Sequence, residues 1–278
     1  MLLLNGQNID YFLFSGGEFQ VKLPHKLDPE RAILTWKPIN ASDITFLSLV
    51  INALKNMGIC DIDLDILYLP YARQDRVCSP GQANSLEVIC RLLDSMELTT
   101  IRIWDVHNMP KTMNLFTETH VCFISAKDIF ARFKILDEFD NNETILCAPD
   151  NGACWRVSDI AEHFDFYTPI MMSKGRHPET GFIEGMKWNP QNRSVEGWSV
   201  LIIDDICDGG ATFNAAAQII REQGATNLYL YITHGIFSKG LDLLQENFKH
   251  IICHHVLHDD HYQSTDRLTI LREFKHVS

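Results

Sequence analysis

Ser199-Val200-Leu201-Ile202-Ile203-Asp204-Asp205-Ile206-Cys207-Asp208-Gly209-Gly210-Ala211-Thr212 (SVLIIDDICDGGAT) is the stretch whose reading decides the fold. An unbroken apolar run meets two acids, then a third acid and two glycines. Helical periodicity takes over in Phe213 to Gln223. A strand without polar alternation is buried on both faces, the habit of a parallel sheet. The pattern therefore predicts a strand over Ser199 to Asp204, a polar loop, and a helix from Phe213. Open parallel sheets bind ligands outside the carboxyl ends of their strands. Glycines there let backbone N–H groups approach an anion, and a helix N-terminus adds about half a positive charge. The carboxylates suit sugar hydroxyls or a shared hydrated Mg²⁺. A phosphorylated sugar would satisfy both halves of the loop; a glycine-rich turn capped by carboxylates is the plainer alternative. No G-x-x-x-x-G-K-[ST] occurs, so this is not a P-loop.

Outward from this stretch, strands and helices alternate. Helices are expected over Ser42 to Met57, with Ser42 as N-cap and Gly58 as stop, and over Ser85 to Met96 and Asn151 to Phe164. Strands are expected over Asp63 to Leu69, Thr100 to Asp105, Thr144 to Ala148 and Asn227 to Thr233. Three of them also end in polar loops, Pro70 to Arg76, Asp105 to His107, and Ala148 to Asp150. The expected fold is α/β, with two doubly wound domains and mostly parallel sheets. Spacing alone puts the domains at residues 1–124 and 125–278, since no low-complexity linker or internal repeat marks a boundary.

Composition bounds the rest. The 278 residues are 46% hydrophobic and 22% charged, enough apolar content to bury a core. A net charge of −12 argues against nucleic-acid binding but not against small phosphorylated ligands met through a metal. No apolar run approaches the ~20 residues that span a bilayer, and the N-terminus lacks the basic region of a signal peptide. Eight cysteines without a C-x-x-C pair fit a reduced, cytoplasmic setting, most of them as small buried apolar groups.

Tyr68-Leu69-Pro70-Tyr71-Ala72-Arg73-Gln74-Asp75-Arg76 resembles the signature of ribose-phosphate pyrophosphokinases, the PRPP synthetases. Phe14-Ser15-Gly16-Gly17-Glu18 resembles their FSDGE segment, Asp105-Val106-His107 their DLH, and Ala148-Pro149-Asp150 their SPD. Lys174-Gly175-Arg176 resembles the start of their flexible KRR catalytic loop, Asp204 to Thr212 their PRPP loop, and Thr233-His234 the TH after the next strand. Seven segments in one order, over roughly residues 12 to 240, do not arise by chance.

The resemblance implies transfer of the β,γ-diphosphoryl group of ATP to the anomeric hydroxyl of ribose 5-phosphate, with Mg²⁺, releasing AMP. On the matching positions, Arg73, Gln74, Arg76 and His107 would contact ATP. Phe14 and Glu18 would embrace the adenine of a neighbouring subunit's ATP, which implies a homo-oligomer, a dimer or hexamer. His107 and Asp150 would place Mg²⁺, and Asp150, Asp204, Asp205 and Asp208 would hold the ribose and its metal. Backbone at Gly209, Gly210, Ala211 and Thr212 would cradle the 5-phosphate, and Lys174 and Arg176 would close over the transferring group. Phosphoryl-type transfer asks for such positioning and charge neutralisation more than for covalent chemistry. Outside the resemblance, Lys174 and Arg176 read equally as a solvated loop pair.

Departures from the family pattern sharpen the question of acceptor. The chain starts almost at the FSDGE-like segment, without the family's opening strand and helix. Gly16 stands where an acid would face adenine, and Val77 to Gly81 replaces basic residues that bind ATP and effectors. The loop after Lys174 reads GRHPETG and is less cationic. The PRPP loop usually reads DTGGT or DTAGT; here Gly209 removes a hydroxyl donor, worth about 0.5–1.5 kcal/mol, and is expected to leave room. ADP-ribose, whose 5-phosphate continues as a diphosphate ester, is therefore a second candidate acceptor, giving ADP-ribose 1-diphosphate for rebuilding NAD. A phosphoribosyltransferase has no use for the ARQDR and FSGGE segments, and a regulatory homologue without activity would be expected to lose the Lys174 loop.

His250, Cys253, His254, His255, His258, Asp259, Asp260 and His261 form a ligand-rich tail. Read as a strand, it puts His250, His254 and His258 on one face at about 13 Å intervals, too far apart for one metal. Surface and strand-end histidines without a metal are the expectation. Trp188 and Trp198, flanking a hairpin or loop, are expected to pack rather than stack on a base.

Overall fold

A computed structural model describes residues 1–24, 31–40, 42–176, 183–258 and 261–271, without the side chains of residues 174–176, 183 and 184. The chain divides into two compact units, Met1–Ser125 and Ala126–Ser278. Both are α/β with mostly parallel sheets.

The first unit holds strands β1 (Leu2–Leu4), β2 (Gln7–Asn8), β3 (Tyr11–Leu13), β4 (Phe19–Val21), β5 (Arg31–Trp36), β6 (Asp61–Ile66), β7 (Thr100–Trp104) and β8 (His120–Ile124). Its helices are α1 (Asp43–Asn56), α2 (Ser85–Asp94) and the short α3 (Met109–Met113). The sheet order is β2-β1-β5-β6-β7-β8, parallel from β5 to β8 and antiparallel at β1 and β2. A short strand thus does precede the FSGGE segment, because the apolar Leu2 and Leu4 pair with β5 and enter the core. Strands β3 and β4 form a separate antiparallel ribbon.

Helix α1 forms where Leu47, Val50, Ile51 and Leu54 bury one stripe. Ser42 does not cap it: its backbone is helical and its side chain makes no capping bond. Asp43 instead fastens the turn before the helix, its carboxylate accepting the N–H groups of Ile39 and Asn40. Strand β6 starts two residues before the expected Asp63 and ends at Ile66, and its side chains alternate. Ile62, Leu64 and Ile66 join the core with α1 and α2, whereas Asp63 and Asp65 are buried elsewhere. Arg102 of β7 meets both carboxylates, and Arg31 of β5 meets Asp63. Burial works against the Arg102 charge, but the bonds and charges of Asp65 and Asp63 outweigh it and hold the guanidinium ionised.

The second unit carries β9 (Thr144–Ala148), β10 (Ile170–Arg176), β11 (Ile183–Trp188), β12 (Ser199–Cys207), β13 (Asn227–Gly235), β14 (His250–Val256) and β15 (Leu268–Ile270). Helices α4 (Ala126–Phe133), α5 (Cys154–His163), α6 (Ala211–Glu222) and α7 (Asp242–Asn247) accompany them. The order is β11-β10-β9-β12-β13-β14-β15, with only β10–β11 antiparallel. The order reverses at β9 and β12: α5 leads from β9 to one side, α6 from β12 to the other. Such a switch point opens a crevice at the carboxyl edge.

Three expectations need correction here. Strand β12 runs on to Cys207, because its ladder with β13 continues through Ile206–His234 and Cys207–Gly235 and satisfies the backbone. Asp205, Ile206 and Cys207 therefore continue the strand rather than form a loop. Four of the eight cysteines, Cys90, Cys147, Cys207 and Cys253, are buried, and Cys60 and Cys78 are exposed. The tail histidines are surface groups only in part, since His261 is exposed and His250 and His258 are half-buried. His254 and His255 are buried in β14, and His255 bonds both His234 (3.0 Å) and His254 (3.0 Å). Burial, then the charges of His234 and Arg132, lower His254 to about 3, so it stays neutral. His258 lies beyond the strand, and Asp259 and Asp260 lie outside the described residues. Trp198 packs on Tyr167 and Arg193, and Trp188 packs against the core.

Arg102→Met leaves Asp63 and Asp65 short of charge in the interior. It should cost about 3–5 kcal/mol of stability in chemical denaturation, and adding Asp63→Leu and Asp65→Leu should recover most of that loss.

Candidate functional site

In the first unit the loop after β6 and the loop after β7 meet at one cleft of about 650 Å³. Arg73, Gln74 and Arg76 line it from the first loop, His107 from the second. Four expected contacts, 31 or more residues apart for His107, thus converge. Tyr71 (φ 63°) and Asp105 (φ 36°) hold the two loops in the left-handed region, and such strain collects at functional sites. Phe14 and Glu18 lie apart on the β3–β4 ribbon and its turn, where the Phe14 N–H donates to the Glu18 carbonyl. A Cβ on Gly16 would stand 3.2 Å from the Glu18 carboxylate, so an acid there would crowd a like charge.

Asn108 and Lys111 also line the cleft, and sequence reasoning missed them. Their spacing was the available signal: Asn108 caps α3 by accepting the Lys111 N–H, which turns Lys111 toward Asp75. The Asp75 carboxylate accepts from Lys111 (3.0 Å) and Asn108 (2.9 Å). Burial alone would raise its pKa, but these bonds and the charges of Lys111 and His107 overcome burial and hold it below the usual range. The cleft is therefore cationic, suited to a polyphosphate.

In the second unit the expected acceptor residues surround the switch point. Asp150 turns the loop after β9 by accepting the Gly152 N–H (2.9 Å). Asp204 and Asp205 stand near the end of β12, and Asp208 follows it. Gly210 (φ 77°) adopts a conformation that L side chains avoid, and α6 begins at Ala211 and Thr212. Beneath the two acids lies Arg156 of α5, whose Nη1 is 3.7 Å from both Asp204 Oδ1 and Asp205 Oδ1. This buried cation was also missed. An arginine on the buried stripe of α5, shared with Val157, Ile160 and Ala161, was the signal. Burial, then the Asp205 charge, push Asp204 well above the carboxylate range, and Arg156 offsets this only in part. The Cys207 thiol is pushed to about 12 by burial and by the charges of Asp204 and Asp208, so it is no nucleophile.

The room expected beside Gly209 is not open: the stem of Lys239 fills it, 3.3 Å from where a Cβ would stand. The backbone of Lys174, Gly175 and Arg176 is the end of β10, paired with β11 across a bulge, rather than a loop. Their side chains, and residues 177–182, lie outside the described residues.

The chain is 31% identical over 234 residues to the ribose-phosphate pyrophosphokinase of Pyrococcus furiosus, covering 84% of this chain and 80% of the relative. It belongs to the ribose-phosphate pyrophosphokinase family. The enzyme of that name from Methanopyrus kandleri is 26% identical over 244 residues, 86% of this chain and 80% of the relative. The phosphoribosyl transferase domain family matches residues 125–262. The phosphoribosylpyrophosphate synthetase of Mycobacterium smegmatis superposes with a TM-score of 0.76 over 95% of this chain and 85% of that one; at 20% identity the likeness shows the fold. Membership makes the chain a diphosphotransferase of the ribose-phosphate pyrophosphokinase kind. No described helix is long and apolar enough to cross a membrane.

A carboxylate with a raised folded pKa opposes folding once it ionises. Its stabilising effect is complete below the ordinary value of 3.8 and is lost as pH rises toward the folded pKa. Asp204→Asn should therefore raise the melting temperature at pH 7, with the gain shrinking as pH falls toward 3.8 and gone below it.

Proposed function

We propose that the protein transfers the β,γ-diphosphoryl group of ATP to the anomeric hydroxyl of a 5-phosphorylated ribose, in the first instance ribose 5-phosphate, giving PRPP. The convergence of Arg73, Gln74, Arg76 and His107 on one cationic cleft carries this reading. ATP fits it through its phosphates, with Lys111 as a further cation. The anomeric oxygen bonds to Pβ, the Pα–Pβ bridge breaks, AMP leaves with the bridging oxygen, and the hydroxyl proton is lost to solvent. Asp204, Asp205 and Asp208 offer acceptors to the ribose hydroxyls. Backbone N–H groups from Gly209 to Thr212 offer donors to its 5-phosphate. Lys174 and Arg176 would meet the charge that develops on the transferring group.

Among the described residues no three His, Cys, Asp or Glu side chains converge as a metal cage. Mg²⁺ does not need one, since it is held through one or two carboxylates plus substrate phosphates. Asp150, Asp204, Asp205 and Asp208 would supply hard oxygen donors of that kind on the second unit, and His107 would place the metal on ATP at the cleft of the first. When bound, Mg²⁺ neutralises phosphate charge. The exposed apolar ribbon residues Phe12 (48%) and Phe14 (54%) support a homo-oligomer in which Phe14 and Glu18 reach a neighbour's adenine. The free cysteines support the cytoplasm.

ADP-ribose is a second acceptor reading, favoured by Gly209. The hydroxyl that suits a terminal phosphate is missing, and a lysine lies in its place. The product, ADP-ribose 1-diphosphate, would be suited to rebuilding NAD with nicotinamide.

Purified protein given ATP and Mg²⁺ with ribose 5-phosphate or with ADP-ribose should release AMP with at least one acceptor. Chromatography of the nucleotides reads the result. Lys174→Ala should cut the rate by about 10²–10³. No AMP with either acceptor would overturn the proposal.

A further inference from the structure

The turn after β13 is built onto the phosphate loop. The N–H groups of Ile236 and Phe237 donate to the Cys207 carbonyl (2.8 and 3.2 Å), and that of Ser238 donates to the Asp208 carbonyl (3.2 Å). The Ser238 hydroxyl donates to the Asp208 carboxylate (2.5 Å). Phe237 (φ 49°) and Gly240 (φ 74°) hold the turn in left-handed conformations, and the Tyr262 hydroxyl fastens it by donating to the Phe237 carbonyl (3.0 Å). Lys239 sits at its tip. Its Cγ, Cδ and Cε lie 3.5, 3.3 and 3.5 Å from the point a Gly209 Cβ would occupy. The stem thus runs along the glycine, and the residue is exposed.

The charge around this loop is one-sided. Asp204, Asp205 and Asp208 crowd the end of β12, and among the described residues the cation paired with them, Arg156, is buried against the first two. A phosphate arriving at the loop with up to two negative charges finds neutral amides and a helix terminus. Among the described residues the Lys239 ammonium has no hydrogen bond or ion pair. Its stem is already ordered against Gly209, so little conformational freedom is left to lose on binding.

We propose that Lys239 is an acceptor-binding residue, whose ammonium meets the phosphate on ribose C5. This rests on the diphosphoryl-transfer reading of the site. Gly209 and Lys239 are then one device: any side chain at position 209 competes with the lysine stem for the same space. The contact serves a terminal monophosphate or a diphosphate ester, and the two acceptors tell these apart.

Lys239→Met keeps the stem and removes the charge. It should raise the KM for the acceptor about tenfold while leaving the KM for ATP and kcat nearly unchanged, and Lys239→Arg should recover most of the loss. An equal loss with the two acceptors is expected; a larger loss with ADP-ribose would put the ammonium on the second phosphate and overturn its contact with the one on C5. Gly209→Thr should also raise the acceptor KM by displacing the stem, and Lys239→Ala should then cost less in that background than alone. Calorimetric titration of each acceptor, with Mg²⁺ and a non-hydrolysable ATP analogue, separates this from the reaction itself. Acceptor binding weakened by Lys239→Met in a protein that releases no AMP would keep Lys239 and sink diphosphoryl transfer. Acceptor binding and KM within twofold of the unmodified protein in Lys239→Met would overturn the role of Lys239.

Discussion

Two adjacent carboxylates at the end of a buried parallel strand are the constraint on which the second unit turns. Asp204 and Asp205 are carried inward by the β12–β13 ladder, whose pairing leaves the backbone no freedom to move them to water. Their mutual repulsion and desolvation are opposed by Arg156, at 3.7 Å from each. A buried charge set of this kind is poor at stabilising a fold compared with apolar packing. What it offers is a preorganised group of acceptors whose positions are fixed before a sugar arrives, which is the condition for useful binding of hydroxyls.

The first unit meets the same problem with the opposite sign. Its cleft gathers Arg73, Arg76, His107 and Lys111 in a chain whose net charge is −12. One acid, Asp75, is placed among them and kept ionised by Lys111 and Asn108. That carboxylate orders the lysine and the loop at the expense of part of the cleft's positive charge. Each charge pattern suits one partner of the proposed transfer: cations the polyphosphate donor, carboxylates and backbone amides the sugar phosphate acceptor.

Much of this was legible from residues alone, for identifiable reasons. The apolar run of β12 and the glycines after it report burial and close backbone approach, which are local properties. What was not legible depends on contacts across the chain. Arg156 pairs with residues 48 and 49 positions later, and Lys239 reaches back 30 positions to Gly209. The alternation of β6 was visible in Asp61-Ile62-Asp63-Leu64-Asp65-Ile66, but the partner that lets Asp63 and Asp65 be buried, Arg102, lies on β7. His254 and His255 read as surface groups because a strand pattern does not say whether both faces are covered; β13 and β15 leave β14 no free edge, and Phe133 of α4 packs on His254.

Gly209 shows how a local reading can be correct in residue and incomplete in physics. Taken alone, a glycine in an anion loop signals space. In the fold the space is filled by a side chain from another turn, fixed there by Ser238 and Asp208. Packing then favours the glycine independently of any ligand, because a Cβ would press on the lysine stem. A hydroxyl attached at that position would offer one neutral donor at a fixed point. A lysine laid across it brings a full charge on a mobile tip, and so tolerates phosphates of more than one shape. Loop chemistry read from adjacent residues can name the anion, but its reach is set by what the fold lays over the loop.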